Sequence, residues 1–232
     1  GSSRIMQVGS ATLNAETMNL SVNGASIEDD IAFVPEAVTK LNPSRVMIGV
    51  DPWLLNRLDY KDRWKSVDYL YDYWERNLSN DVSSDGNAVP YFSDLNASRK
   101  LKYGSSLAKT LYQYVNIAGS MEAKNGETEA VAKKAYDGFN IYNEKDISKP
   151  IQVIKSGFNG SLNYGMNDFE YDDGAKENLV KLVSWLKKSG IEVILVLSPY
   201  HPELYLRMVK EKPIFLEIEE SFRGIASRYN VS

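Results

Sequence analysis

The segments of this chain best suited to chemistry are short turns that combine glycine or proline with polar side chains. Asn23-Gly24-Ala25-Ser26 follows a weakly apolar run, whereas Gly49-Val50-Asp51-Pro52-Trp53 and Ser198-Pro199-Tyr200-His201-Pro202 each follow a strongly apolar one. A fourth polar turn, Gly1-Ser2-Ser3-Arg4, opens the chain. In open α/β sheets, ligands bind beyond the carboxyl ends of the strands. If the apolar runs are parallel strands, the turns that follow them share one rim and can form one site.

Four segments carry apolar residues at helical spacing, which predicts four amphipathic helices. The stripes are residues 27, 31, 34, 38 and 41; 64, 67, 71, 74 and 78; 179, 182, 183 and 186; and 215, 218, 222 and 225. Ser189-Gly190 predicts the end of the third helix. Pro213 suits the first turn of the fourth helix, where a missing N–H does no harm.

Two runs rich in β-branched residues, 45–50 and 191–197, are apolar without alternation. This pattern is typical of a strand covered on both faces, as in a parallel sheet between two layers of helices. Residues 18–22 predict a weaker third strand. The order of strands and helices predicts an α/β fold: a three-layer α/β/α domain with a mainly parallel, flavodoxin-like sheet.

The middle of the chain, 79–173, is rich in Asn, Ser, Gly, Asp and Tyr and has few long apolar stripes. Helices are predicted over 99–118 and 127–136, and loops elsewhere. Because long loops in compact domains are often functional, we interpret 79–173 as a loop-rich insertion or lid. It belongs to a single domain that spans 1–232.

Composition excludes several classes of function. The chain has no Cys and one His, His201, which excludes disulfide scaffolds, thiolate zinc sites, cysteine nucleophiles and His-rich metal sites. A net charge of −4 gives no overall field that would gather nucleic acid. The acidic run 168–174 fails the EF-hand spacing and predicts instead a charged start for a helix at 175. No apolar run approaches the ~20 residues that cross a bilayer, so we expect a soluble domain without a metal or other cofactor.

Taken in order, Gly1-Ser2-Ser3, Gly24 and Gly49-Val50-Asp51 resemble the sequence blocks of the SGNH (GDSL-like) hydrolase superfamily. The chain is similar to bacterial cell-surface members with a Gly-Ser-Ser opening, such as alginate O-acetyltransferases and the D-alanyl transfer protein of teichoic acids. The resemblance covers residues 1–56 and 174–232. It implies a serine esterase or O-acyltransferase acting on acyl esters, above all acetyl esters, of a bacterial envelope polysaccharide. It also implies a periplasmic or cell-surface location, with a membrane tether outside these residues.

The resemblance assigns roles to three residues. Ser3 would attack the ester carbonyl, and the backbone N–H groups of Ser3 and Gly24 would donate to the oxyanion. Asp51 stands where the family has an oxyanion-binding Asn, and an ionised carboxylate there would repel an oxyanion. Asp51 is therefore expected to be protonated, to be turned away, or to cap the short segment 52–56.

Four further residues are candidates for binding an acylated carbohydrate or a small ester: Arg4, Trp53, Tyr200 and His201. Each also has a structural interpretation, as a surface charge, a core side chain or a surface turn. The Asp-x-x-His block that supplies the family's base has no counterpart here, and the sequence stops at residues 230–232, where another strand is expected. We therefore expect these residues to be an excerpt of a longer chain, without a central strand and the acid–base loop.

Two rival functions stay open. The first is a non-catalytic SGNH-fold domain that binds a glycan or an assembly partner. The second is a glycosidase that uses two carboxylates among Asp51, Asp85 and Asp94, which requires a separation that the sequence does not give.

Overall fold

A computed structural model describes residues 5–22, 24–59, 63–78, 133–134, 137–138, 140–141, 152 and 168–232. Within these ranges the α-helices are α1 (Ser10–Leu13), α2 (Ile27–Leu41), α3 (Asp68–Asn77), α4 (Asp173–Lys188), α5 (Pro202–Glu211) and α6 (Ile214–Tyr229). The strands are β1 (Arg45–Gly49), β2 (Lys133–Lys134), β3 (Asn140–Ile141) and β4 (Glu192–Val196), and 3₁₀ helices occupy Pro52–Leu55 and Arg63–Val67. None of the helices in these ranges is long and apolar enough to cross a membrane. A helix is confirmed at each of the four predicted stripes, as are both strongly apolar strands. Two stripes differ in detail: Leu41 is 54% exposed, and residues 64 and 67 lie in the 3₁₀ helix Arg63–Val67 that precedes α3.

The central sheet of the described chain is a parallel pair, β1 and β4. Its register aligns Arg45 with Glu192 and Gly49 with Val196. The pairing extends one residue further, because the Val50 N–H donates to the Val196 carbonyl at 2.9 Å. The fold is therefore mixed α/β with a parallel sheet, as predicted.

The helices begin and end on the residues that favour such boundaries. At the start of α2, the Ser26 hydroxyl accepts from the Asp29 N–H and the Asp29 carboxylate accepts from the Ser26 N–H, a reciprocal capping box. At the start of α4, the Asp172 carboxylate accepts from the Ala175 N–H at 3.0 Å. Gly190, with φ +76°, follows the end of that helix. The acidic start of α4 and the glycine stop after it are both confirmed.

One hydrophobic core joins the sheet to α2, α4 and α6, and its largest fully buried side chains include Phe215 and Phe222. The strand residues in this core are Val46, Ile48, Val50, Val193, Leu195 and Leu197. Because side chains alternate between the two faces of a strand, these six lie on one face of the sheet. The apolar residues of the opposite face, Met47, Ile194 and Val196, are half-buried and lie outside the core cluster of the described chain. The described core thus comprises two layers, and a third layer stays a prediction.

The strand predicted over 18–22 is wrong. Its polar residues face inward and its apolar residues outward: Asn19 is buried, whereas Met18 is 52% exposed and Leu20 is 43% exposed. The Asn19 side-chain amide donates to the carbonyls of Ile5 and Val8, at 2.7 and 2.6 Å. The segment is therefore held by side-chain hydrogen bonds, which here replace a strand ladder.

Two other expectations need correction or fall outside the described chain. The helix predicted over 127–136 is wrong at Lys133–Lys134, which is β2. The helix predicted over 99–118 and most of the proposed insertion 79–173 lie outside the described residues.

Candidate functional site

The carboxyl ends of β1 and β4 carry a buried acid and a buried serine side by side. Continuing the register past the Val50–Val196 hydrogen bond aligns Asp51 with Ser198, so their side chains leave the same face of the sheet. Asp51 is 1% exposed and Ser198 is 7% exposed. In the described part of the chain, the Ser198 hydroxyl has no hydrogen-bond partner. The rim predicted from the sequence therefore contains a buried polar pair, of which Ser198 was missed as a site residue.

Asp51 does not act as a side-chain cap. It is the N-cap residue of the 3₁₀ helix Pro52–Leu55, but its carboxylate makes no capping hydrogen bond. The backbone carbonyl of Asp51 accepts from the Leu54 N–H at 2.9 Å instead. Of the three expectations for this carboxyl, capping is thus contradicted.

The turn around Gly24 and the turn after β1 line a common cleft. Gly24 has φ 62°, a left-handed conformation that side-chain-bearing residues adopt rarely. The cleft has a volume of about 40 Å³, and its lining includes Ala25, Ser26, Trp53, Leu54, Asn56 and Arg57. Trp53 is half-buried and packs against the hydrophobic core while it lines this cleft. Trp53 is therefore both a wall of the cleft and a core residue, so both interpretations made from the sequence apply.

Asn56 fixes the loop that carries Trp53. Its side-chain oxygen accepts from the N–H groups of Leu58 and Glu170, at 3.1 and 3.0 Å. Its side-chain nitrogen donates to the Asp168 carbonyl at 2.8 Å. A buried amide that satisfies three backbone groups holds this side of the cleft in one geometry.

The turn after β4 leads directly into α5, a helix that the sequence analysis missed. Its signal was Pro202 at the first helical position, followed by apolar residues at 204 and 208. The Tyr200 ring meets the Phe215 ring edge-on, with 5.3 Å between ring centroids. His201 is exposed at the N-cap position of α5, and its side chain makes no capping hydrogen bond. Tyr200 is thus held by the core, and only His201 of this pair stands open to solvent.

Several candidate residues lie outside the described part of the chain. They are Ser3, Arg4, Asp85 and Asp94. The proposed nucleophile and the glycosidase pairs are therefore untested by geometry. Within the described residues, no group of three or more His, Cys, Asp or Glu side chains could hold a metal ion.

Two buried carboxyls in the first turn of α2 were not predicted. Asp29 and Asp30 are each 2% exposed. Burial raises the pKa of Asp29, while its hydrogen bond from the Ser26 N–H and the charge of Arg63 act in the opposite direction. The Arg63 guanidinium lies 3.8 Å from the Asp29 carboxylate. The Ser-x-x-Asp spacing of the capping box was the available signal for Asp29.

Replacing Asp29 by Asn should remove a pH-dependent destabilisation. The pKa of Asp29 is raised from its ordinary value of 3.8, so the folded state binds this proton more tightly than the unfolded state does. Stability from this group is therefore present below pH 3.8 and falls as the pH rises through the folded-state pKa. Asn keeps an oxygen that can accept from the Ser26 N–H but does not titrate. Urea unfolding between pH 3 and 8 should show the variant gaining stability relative to the parent as the pH rises.

The matched control is Glu203→Gln, at an exposed acid in the first turn of α5. Surface substitutions usually change stability by less than about 0.5 kcal/mol, so this variant should stay close to the parent at every pH. A constant difference between Asp29→Asn and the parent over the whole range would contradict the assignment.

The described residues thus offer a buried carboxyl and a buried hydroxyl at the carboxyl ends of β1 and β4, and a cleft that is lined by the Trp53 indole and by neither of these two groups. Such groups can bind a polar ligand and move a proton. Comparisons of this chain with protein-family models, with curated proteins and with solved structures give no match.

Proposed function

We propose that this chain is an SGNH-like serine esterase or O-acyltransferase that acts on acyl esters of a bacterial envelope polysaccharide. Ser3 is the nucleophile in this proposal, and the Ser3 and Gly24 N–H groups bind the oxyanion. Trp53, Tyr200, His201 and Arg4 shape the substrate site. The fold in this proposal is the three-layer α/β/α sandwich, with 79–173 as its insertion.

The observation that carries the proposal is the rim at the carboxyl ends of β1 and β4. Residues 25 and 26, which follow Gly24, line one cleft with Trp53, which stands two residues after Asp51. The carboxyl rim of a parallel sheet is the position at which α/β proteins bind ligands. The turns that follow two of the sequence blocks therefore contribute to one cleft, which supports a shared site.

A second observation concerns the outer edge of β4. The Leu195 N–H, which points away from β1, donates to the Ser232 carbonyl at 2.8 Å. The chain that leaves α6 therefore runs beside β4, in the place where the SGNH-like order expects the next strand. This supports the expected further strand beside β4.

The rival function, a non-catalytic domain that binds a glycan or partner, is favoured by one feature. His201 is the only histidine in the chain, and it is exposed at the start of α5. An imidazole that is exposed to solvent at the start of a helix is a poor general base. The rival therefore predicts binding without covalent chemistry at Ser3.

A covalent serine-directed probe separates the two functions. In the proposed enzyme, a fluorophosphonate should label the native chain at Ser3, with the adduct located by peptide mass spectrometry. The matched control is Ser2→Ala, which should keep the label, whereas Ser3→Ala should lose it. Native chain that stays unlabelled, or that is labelled equally after Ser3→Ala, would favour the binding domain.

A further inference from the structure

The cleft beside Trp53 has an apolar wall and room for a small group. Its apolar lining consists of the Trp53 indole and four buried aliphatic residues, Ala25, Ile27, Leu54 and Ala175. The volume of about 40 Å³ holds roughly three water molecules, which is the space of a ligand group of about four non-hydrogen atoms. The apolar part of such a group can pack against this wall.

Four other residues of the lining carry charged side chains: Glu28, Arg57, Asp59 and Asp172. Carboxylates accept hydrogen bonds, and a guanidinium only donates them. The Arg57 guanidinium donates to the Glu170 carboxylate at 2.9 Å and has further N–H groups to offer. A ligand that matches this polar part of the lining therefore supplies both a hydrogen-bond donor and an oxygen acceptor.

The charges around the cleft favour a neutral ligand. An anion would meet three carboxylate-bearing residues, while the charge of Arg57 is offset by its ion pair with Glu170. A cation would meet the amino-terminal ends of α2 and α4, which both contribute to the lining and carry the positive ends of the helix dipoles. A neutral group with its own donor and acceptor avoids both penalties.

We propose that this cleft binds the acetamido group of an N-acetylhexosamine unit. The acetyl methyl packs against Trp53 and the aliphatic residues, the carbonyl accepts from Arg57, and the amide N–H donates to a carboxylate. An acetyl ester lacks the N–H, and a plain hydroxyl lacks the methyl, so neither matches both parts of the lining. The inference rests on the proposed function only for the choice of a carbohydrate, and it implies that the polysaccharide contains N-acetylhexosamine.

Saturation-transfer difference NMR on the whole chain tests the ligand class without any chemistry at Ser3. The probes are N-acetylglucosamine, glucosamine, which carries an ammonium group instead, and glucose, which has no nitrogen. N-acetylglucosamine should bind and receive saturation most strongly at its acetyl methyl, and the two other sugars should bind at least about tenfold more weakly. Trp53→Ala should weaken the binding of N-acetylglucosamine about tenfold.

A second variant is needed because Trp53 also packs against the core. Arg57 is an exposed residue, so Arg57→Ala should leave the fold intact and weaken the binding of N-acetylglucosamine about fivefold. The matched control is Arg45→Ala, which removes another exposed arginine with an ion pair, 2.7 Å from Glu192, at the opposite end of β1. This control should bind N-acetylglucosamine as the parent does.

Four results would overturn the inference. They are no binding of N-acetylglucosamine, binding of glucose or glucosamine that is equally tight, unchanged affinity in Arg57→Ala, and tighter binding of Nε-acetyllysine, which would assign the cleft to an acetylated protein. The proposed function fails on a different reading, namely native chain that the fluorophosphonate does not label at Ser3. Binding without labelling would therefore support this inference and favour the non-catalytic rival.

Discussion

Ser3→Ala should lower the turnover of p-nitrophenyl acetate by at least about a thousandfold. Alanine removes the oxygen that would carry the acyl group, so the reaction would lose its covalent step while substrate binding stays intact. The effect should appear in kcat, with KM nearly unchanged. Steady-state kinetics of the parent and the variant, with the spontaneous hydrolysis rate subtracted, measure it.

Ser2→Ala is the matched control, since it makes the same change one residue earlier and should retain most of the activity. Equal losses in both variants would point to a folding or loop effect instead of nucleophilic catalysis. Unchanged turnover in Ser3→Ala would remove Ser3 from the mechanism.

Phe215→Ala should destabilise the chain by about 3–5 kcal/mol, a large part of the stability of an ordinary domain. Phe215 is completely buried, and its ring meets the rings of Tyr200 and Tyr205 edge-on, with 5.3 and 5.5 Å between centroids. Alanine would leave a cavity between α6 and the turn that follows β4. Urea unfolding followed by tryptophan fluorescence measures the loss.

The adjacent Leu216 provides the control, because it is 40% exposed on the same helix. Leu216→Ala should cost less than about 1 kcal/mol. Equal costs at 215 and 216 would mean that α6 does not pack as described. Because Tyr200 rests on Phe215, the variant should also alter the site before it unfolds, which would appear as reduced probe labelling at Ser3.

Periodicity predicted most of the described helices and strands because their apolar residues follow a regular spacing. Ile27 to Leu41 and Phe215 to Ile225 are long enough for the helical period to dominate, and the runs at 45–50 and 191–197 are strongly β-branched. A strand was wrongly predicted over 18–22 because polar and apolar residues alternate there as they do in a strand. In the structure, however, the polar residues Asn19 and Ser21 are the buried ones. Hydropathy does not reveal that a buried amide will satisfy the neighbouring backbone. α5 was missed because Pro202 read as part of a turn, although proline also favours the first turn of a helix.

The candidate site was predicted in outline and not in detail. The turns at Asp51 and Ser198 were identified as parts of one rim, since parallel strands bring their carboxyl ends together. The turn at Gly24 was assigned to the same rim from a strand over 18–22 that is not formed. The alignment of Asp51 with Ser198 depends on the register of β1 against β4, which involves residues far apart in the sequence. The burial of Asp29 likewise depends on tertiary contacts around α2. The strand register leaves no local trace in composition or spacing, and the Ser-x-x-Asp spacing at Asp29 signals a capping box but not burial.

The pairing of β1 with β4 also has a consequence for how the chain reaches its folded state. The ion pair between Arg45 and Glu192 that closes the first register position joins residues 147 apart in the sequence. Translation adds about 5–20 residues per second, so β1 waits roughly 7–30 s on the ribosome before its partner has been synthesised. During that interval Val46, Met47 and Ile48 lack β4, their partner in the described sheet, and nonlocal contacts of this kind form slowly even afterwards. The nascent chain is therefore a natural client for chaperones that shield apolar strands until the sheet closes.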